Sequence, residues 1–178
     1  MAETSAVGGQ KSRRLILAVL FAVLVFISKT FLPTPLDKVL VVFQALFLAL
    51  GSITLAPLGA TLVSTIGGLL TSVWRAPFGL FTLGFAVLYG ILVDGFLMLF
   101  KAKTQDGTVQ VTRLAAGVTI ATAMTGIASY YTTVHVLSIL PRNIVLEVSI
   151  LVIGVLNGLA GGYVASLLWN KALQHVLS

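Results

Sequence analysis

The sequence predicts an all-α membrane protein, a compact bundle of six transmembrane helices with both termini on the cytoplasmic side. Three observations carry this expectation. Hydrophobic residues make up 58% of the chain and charged residues only 9%, where a soluble domain carries about 25% charge. Short polar or proline-bearing turns divide the chain into apolar runs of helix length. Within several runs small residues recur at every fourth position. That spacing puts them on one helical face, where two backbones can approach closely in lipid.

Mean hydropathy is +1.08 and the pI about 10.0. The basic character comes from 11 Lys and Arg against 5 Asp and Glu. These charges sit between apolar runs and form no dense patch, so they read as topology signals rather than a nucleic-acid footprint. The absence of cysteine excludes disulfides, a thiolate nucleophile and thiolate metal ligation. A single domain over residues 11–178 is expected, preceded by a small, polar and disordered stretch over 1–10.

Lys11, Arg13 and Arg14 precede an apolar run from Leu15 to Ile27. The pattern fits a signal peptide, yet no small-x-small cleavage site follows, so a retained first helix over about 13–32 is expected. Phe31 and Leu32 extend it past a snorkelling Lys29. Pro33 and Pro35 break the chain, and Asp37 and Lys38 mark water. The second helix is expected over about 39–56, with Gln44 its one strongly polar side chain in the outer half.

Pro57 and Gly59 turn the chain into a third helix over about 58–73. At 1.5 Å per residue it spans roughly 24 Å against a hydrocarbon core of about 30 Å. Its small stripe is Ala56, Ala60, Ser64, Gly68 and Ser72. After Trp74-Arg75-Ala76-Pro77 comes a fourth helix over about 78–100, whose stripe of Thr82, Ala86 and Gly90 ends in the carboxylate of Asp94. Residues 56–96 are therefore expected to be the packing centre around which the other helices gather.

A polar loop over 101–112 leads to a fifth helix over about 113–140, with stripe Gly117, Ala121, Thr125, Ser129, Thr133. Pro141-Arg142-Asn143 turns into a sixth over about 144–169, with stripe Gly154, Gly158, Gly162, Ser166. With the N-terminus inside, the inner segments hold Lys11, Arg13, Arg14, Lys101, Lys103, Arg113 and Lys171. The outer ones hold Lys29, Lys38, Arg75 and Arg142. Seven against four favours both termini in the cytoplasm and a multi-pass protein of the cell membrane.

That topology gathers Trp74, Arg75, Thr82, Tyr130, Tyr131, His135 and Glu147 towards the outer face, with Asn157 near mid-membrane. Aromatic and ionisable groups at one end suggest an outward-opening pocket. Each residue also has a structural reading. Trp74, Tyr130 and Tyr131 fit an aromatic belt, and Arg75 and Arg142 fit flanking charges. His135 fits either a surface hydrogen bond or a ligand contact. Glu147 needs a partner, either an arginine (Arg75 or Arg142) or a ligand. Asn157 fits an interhelical hydrogen bond. Asp94 reads as structural, reaching water or Lys101.

No H-E-x-x-H, P-loop or paired membrane carboxylates occur, and neither histidine has a helical-neighbour metal ligand. No metal, cofactor or ATPase activity is expected. A lipid-acting enzyme would need His135 or Glu147 in catalysis, but Ser72 and Ser129 sit in no nucleophile elbow.

The runs PLGATLVSTIGGLLTS, APFGLFTLGFAVLYGILVDG and EVSILVIGVLNGLAGGYVASLLWNKAL, with six helices and a proline-bearing segment after the first, resemble the substrate-binding S component of energy-coupling factor (ECF) transporters. Ala18 and Ala22 match the small-x-x-x-small pair by which that family docks on its coupling subunit. The resemblance implies capture of a vitamin-like small molecule from outside. The partners it implies are a membrane coupling subunit and two ABC ATPases, with no nucleic acid. It also makes the segment over 29–38 a lid, and Trp74, Arg75, Thr82, Tyr130, Tyr131, His135, Glu147 and Asn157 the source of the binding pocket. The alternative is a non-catalytic scaffold subunit of a larger membrane complex, its small stripes packing on partner helices.

Overall fold

The computed structural model describes residues 2–30, 40–55, 57–74, 79–104, 107–138 and 141–174, with side chains from residue 15 onward. Six helices account for nearly all of them: α1 (Ala2–Thr30), α2 (Val41–Leu55), α3 (Gly59–Trp74), α4 (Gly79–Leu99), α5 (Val111–Tyr131) and α6 (Ile144–Leu168). Both α5 and α6 continue into a turn of π-helix, Thr132–Val136 and Trp169–Leu173. The described residues contain no strand, only an isolated β-bridge between Lys103 and Val109.

Three helical stretches are long and apolar enough to cross a membrane: Gly79–Leu99, Val111–Val136 and Ile144–Leu173. They mark this as a membrane protein. The other three apolar stretches, Leu15–Thr30, Val41–Leu55 and Gly59–Trp74, are shorter. Residues 1–10, expected to be disordered, are helical from Ala2 onward. Ala, Glu, Gln, Lys and Arg outnumber the Gly8-Gly9 pair there, and their helix propensity carries the helix back from the apolar run.

Around the bundle the helices follow the order α1, α3, α4, α5, α6, α2, and α2 touches all five others. The packing centre is thus α2 rather than residues 56–96. Its Gln44, Ala45, Leu48, Ala49, Leu50, Gly51, Ile53 and Leu55 are buried. With so many buried positions, α2 has no wide lipid-facing side, as expected of a helix that is apolar all round.

The small stripes pack against one another. Ala60, Ser64 and Gly68 of α3 face Ala86, Gly90 and Asp94 of α4: a Cβ on Gly68 would lie 2.6 Å from that of Ala86, and one on Gly90 would meet Ser64 and Thr61. On α6, Gly154, Gly158 and Gly162 run antiparallel along Ala123, Thr119 and Ala115 of α5, where added Cβ atoms would come within 3.4, 2.5 and 2.7 Å of the facing Cα atoms. Gly161, on the adjacent stripe, abuts Ala45 of α2. In lipid, where apolar surface gives helices little reason to associate, such close backbone contact supplies the attraction.

Ala18 and Ala22, expected to dock a partner, are both 0% exposed. The backbone of Ala22 and the side chain of Val25 press against Gly67 of α3. That small-residue face is used inside the chain, because α1 packs closely on α3 through it. The face that α1 leaves open carries Leu15, Ile16, Val19 and Leu20 instead.

Candidate functional site

Four of the expected pocket residues, Tyr130, Tyr131, His135 and Glu147, fall where α5 stops and α6 begins. There α5 does not end cleanly. Leu137 N–H donates to Thr132 O at 3.0 Å, a bond across five residues that closes a π turn. The turn sets His135 parallel to Tyr131, with ring centroids 5.7 Å apart and planes within 9°. Tyr130 meets Tyr131 edge to face at 5.8 Å.

The start of α6 is fastened to this cluster. Asn143 caps the helix, its side chain accepting from Val145 N–H at 2.9 Å. Tyr130 holds the cap in turn: its hydroxyl donates to Asn143 O and accepts from Asn143 N–H, both at 3.0 Å. One turn on, Glu147 accepts from the Tyr131 hydroxyl at 2.6 Å. A carboxylate in the first turn also suits the positive end of the α6 dipole. Tyr130 is buried, Glu147 half-buried, and Tyr131 and His135 exposed.

The structure therefore joins Tyr130, Tyr131, His135 and Glu147. Among the described residues Glu147 is hydrogen-bonded by Tyr131, and Arg142 makes no ion pair with it. Trp74, the last residue of α3, is 69% exposed, and Thr82 is half-buried near the start of α4. Both lie at the same end, but α4 stands between α3 and α5, and no described hydrogen bond or ring contact ties them to the tyrosines. Asn157 is half-buried, ten residues beyond Glu147, or roughly 15 Å along the helix. It precedes Gly161 by one turn, on the stripe that faces α2. Arg75 and residues 31–39, which include most of the expected lid, lie outside the described residues.

A parallel phenol–imidazole pair can stack a flat ring, a carboxylate with one oxygen engaged can accept hydrogen bonds from it, and a helix N-terminus can donate to it. Among the described residues no three His, Asp, Glu or Cys side chains come close enough to hold a metal ion.

The opposite end of the bundle is more ordered than its sequence suggested. Residues 102–104 and 107–110 pair as the two arms of a small hairpin, through Thr104 N–H to Thr108 O at 2.9 Å and Gln110 N–H to Ala102 O at 2.9 Å. The π turn after α6 pins it down. Asn170 accepts from Val109 N–H at 3.0 Å and donates to Val109 O at 2.9 Å, and Trp169 Nε1 donates to Gly107 O at 3.0 Å. Lys103 lies over the Trp169 ring, 5.3 Å from its centroid. Sequence reasoning placed Trp169 only as the end of the sixth helix and gave Asn170 no role; the adjacent Trp-Asn pair after a long apolar run was the available signal.

Asp94, also at this end, pairs with α3 rather than with Lys101. Its carboxylate accepts from Ala60 N–H at 3.1 Å, Thr61 N–H at 2.8 Å and Thr61 Oγ1 at 2.7 Å. It caps α3 from the neighbouring helix. Deeper in the bundle, Tyr89 Oη and Thr122 Oγ1 share a hydrogen bond of 2.7 Å between α4 and α5.

These features define an all-helical membrane protein with a polar, aromatic cluster at one end and a pinned hairpin at the other. Comparison with protein-family models, with curated proteins and with solved structures finds no match to this chain.

Proposed function

We propose that this chain is the substrate-capture subunit of an energy-coupling factor type uptake transporter. On this reading all six helices cross the membrane with both termini inside, and the seven-to-four distribution of basic residues supports that orientation. The observation that carries the proposal is the union of Tyr131, His135 and Glu147 at one end of a six-helix bundle. Two stacked rings offer a face to a heterocycle, and the carboxylate fixes its orientation. A vitamin-like molecule binds there from outside, with Trp74, Arg75, Thr82 and Asn157 completing the pocket. A coupling subunit and two ABC ATPases supply the energy. Because α1 spends Ala18 and Ala22 on α3, the coupling subunit meets the Leu15, Ile16, Val19 and Leu20 face.

Native mass spectrometry of the protein gently extracted from its own cells tests this directly. A bound heterocycle, or an assembly with one coupling subunit and two ATPases, is the expected result. Tyr131→Ala should then lower ligand retention by about tenfold, since one aromatic contact is worth more than 1.4 kcal/mol at a well-packed site. An empty chain in a stable complex without any ATPase would overturn the proposal and favour the scaffold.

A further inference from the structure

We propose that a cavity at the hairpin end of the bundle is a binding site for the headgroup of an anionic phospholipid. The cavity encloses about 290 Å³ between the end of α2, the turn into α3, the end of α4 and the hairpin. Ser52, Ile53, Leu58 and Leu97 line it, with Lys101 and Lys103 among the residues around them. Mostly apolar walls beside two ammonium groups suit an amphiphile with negative charge. A free hydrophilic anion would find little to hydrogen-bond there beyond those two side chains.

The position of the cavity fits a lipid. Lys101 follows two residues after α4, a helix long and apolar enough to span the bilayer, so it stands at the level of the headgroups. Leu58, Met98 and Leu99 beside the cavity are largely exposed, an apolar rim for acyl chains. Basic pockets at the ends of membrane helices are a recurrent setting for anionic headgroups.

The backbone supplies a second, independent observation. Among the described residues, three non-glycine residues have left-handed φ values: Leu58 at 66°, Lys101 at 47° and Ser138 at 51°. Two of the three line this cavity. At Lys101 the cause is visible. Lys101 N–H donates to Met98 O and Ala102 N–H to Leu97 O, each at 3.1 Å, which is the pairing of a Schellman helix end, where glycine is the residue of least strain. A lysine here bears that strain at the lining of the cavity. Strained backbone of this kind concentrates at ligand sites.

Among the described residues no carboxylate competes for these charges. The two described carboxylates are committed elsewhere, Asp94 to α3 and Glu147 to Tyr131. Lys103 is steadied by Ile53 O at 3.4 Å and by the Trp169 ring, and an ammonium has three donors to share. Arg113 and Lys171 are exposed and add positive potential at the same end.

The test is native mass spectrometry of the full chain in detergent, titrated separately with dioleoyl phosphatidylglycerol and dioleoyl phosphatidylcholine. One phosphatidylglycerol should be retained in clear preference to phosphatidylcholine. Lys101→Gly removes the charge and relieves the backbone, so it should fold at least as well while losing roughly fivefold in phosphatidylglycerol retention. Lys171→Gln, at the same end but outside the cavity, should retain the lipid. Equal retention of the two lipids, or undiminished retention in Lys101→Gly, overturns the proposal. Complete displacement of the lipid by equimolar inorganic phosphate would also overturn it, by making the site one for free anions. The result does not depend on the transport reading, whose ligand binds at the opposite end.

Discussion

A single carboxylate oxygen of Asp94 accepts two hydrogen bonds from Thr61, one from its backbone N–H at 2.8 Å and one from Oγ1 at 2.7 Å. The other oxygen takes the N–H of Ala60. No chain-local residue caps α3 in this way; the cap comes from the next helix. In an apolar medium an unmet N–H costs several times what it costs at a wet surface. Asp94→Ala should therefore destabilise the fold by about 2–3 kcal/mol. Thr61→Val, which keeps the backbone bond and loses the hydroxyl, should cost only about 0.6 kcal/mol, the usual worth of a side-chain hydrogen bond between membrane helices. Equilibrium unfolding in mixed micelles measures both, and equal losses would refute this division.

Two glycines of α4 separate packing from propensity. A Cβ on Gly90 would fall on Ser64 Oγ and lie 2.6 Å from Thr61 Cα, whereas one on Gly84 has nothing within 4 Å. Gly90→Ala should lose about 1–3 kcal/mol by forcing α3 and α4 apart. Gly84→Ala should be neutral or gain up to about 1 kcal/mol of helix propensity. Thermal melts of the two variants, side by side, check the contrast.

Asn170 pairs with both backbone groups of Val109. Asn170→Ala should free the hairpin without unfolding the bundle, raising amide exchange at Val109 roughly tenfold for each 1.4 kcal/mol lost. Hydrogen exchange read by mass spectrometry over residues 102–110 would report it, and unchanged protection there would mean that Trp169 alone holds the loop.

Tyr130 and Tyr131 are adjacent and should behave differently. Tyr130 is buried and its hydroxyl serves both sides of Asn143, so Tyr130→Phe should cost about 1–2 kcal/mol. The Tyr131–Glu147 bond is exposed, and Tyr131→Phe should leave the melting temperature within experimental scatter. If the proposed capture function holds, Tyr131→Phe keeps the ring stack on His135 while releasing Glu147, and ligand binding changes where stability does not.

The sequence carried the helices well because turns and periodicity are local. The expected limits of the second, third, fourth and sixth helices lie within two residues of α2, α3, α4 and α6, and at Trp169 the last of them passes into a π turn. The small stripes of α3, α4 and α6 also face partners as their spacing implied. The fifth helix was expected to reach residue 140, but α5 stops at Tyr131; π turns bring no residue signature of their own. Partner choice was the part least legible. Ala18 and Ala22 looked like an outward docking pair, because a small-x-x-x-small motif does not say whether its partner lies in the same chain. Asp94 read as structural, but with water or Lys101 as its contact, because the α3 N-terminus that it caps is distant in sequence. In the cluster, Tyr130, Tyr131 and His135 could be grouped from one helix end, while the pairing of Tyr131 with Glu147 depends on how α5 and α6 are set against each other.

The cap on α3 also bears on how the chain is made. Ala60 and Thr61 precede Asp94 by 34 and 33 residues, so during synthesis α3 emerges complete while its acceptor is still being assembled. Until α4 follows, the first turn of α3 has two N–H groups without the acceptor they hold in the folded chain. On the proposed six-span reading α3 is incomplete by itself, because lipid offers those donors no substitute and α4 supplies the acceptor. A nascent chain arrested before residue 94 should leave α3 accessible to water-borne cross-linkers, and one extended past α4 should close it off.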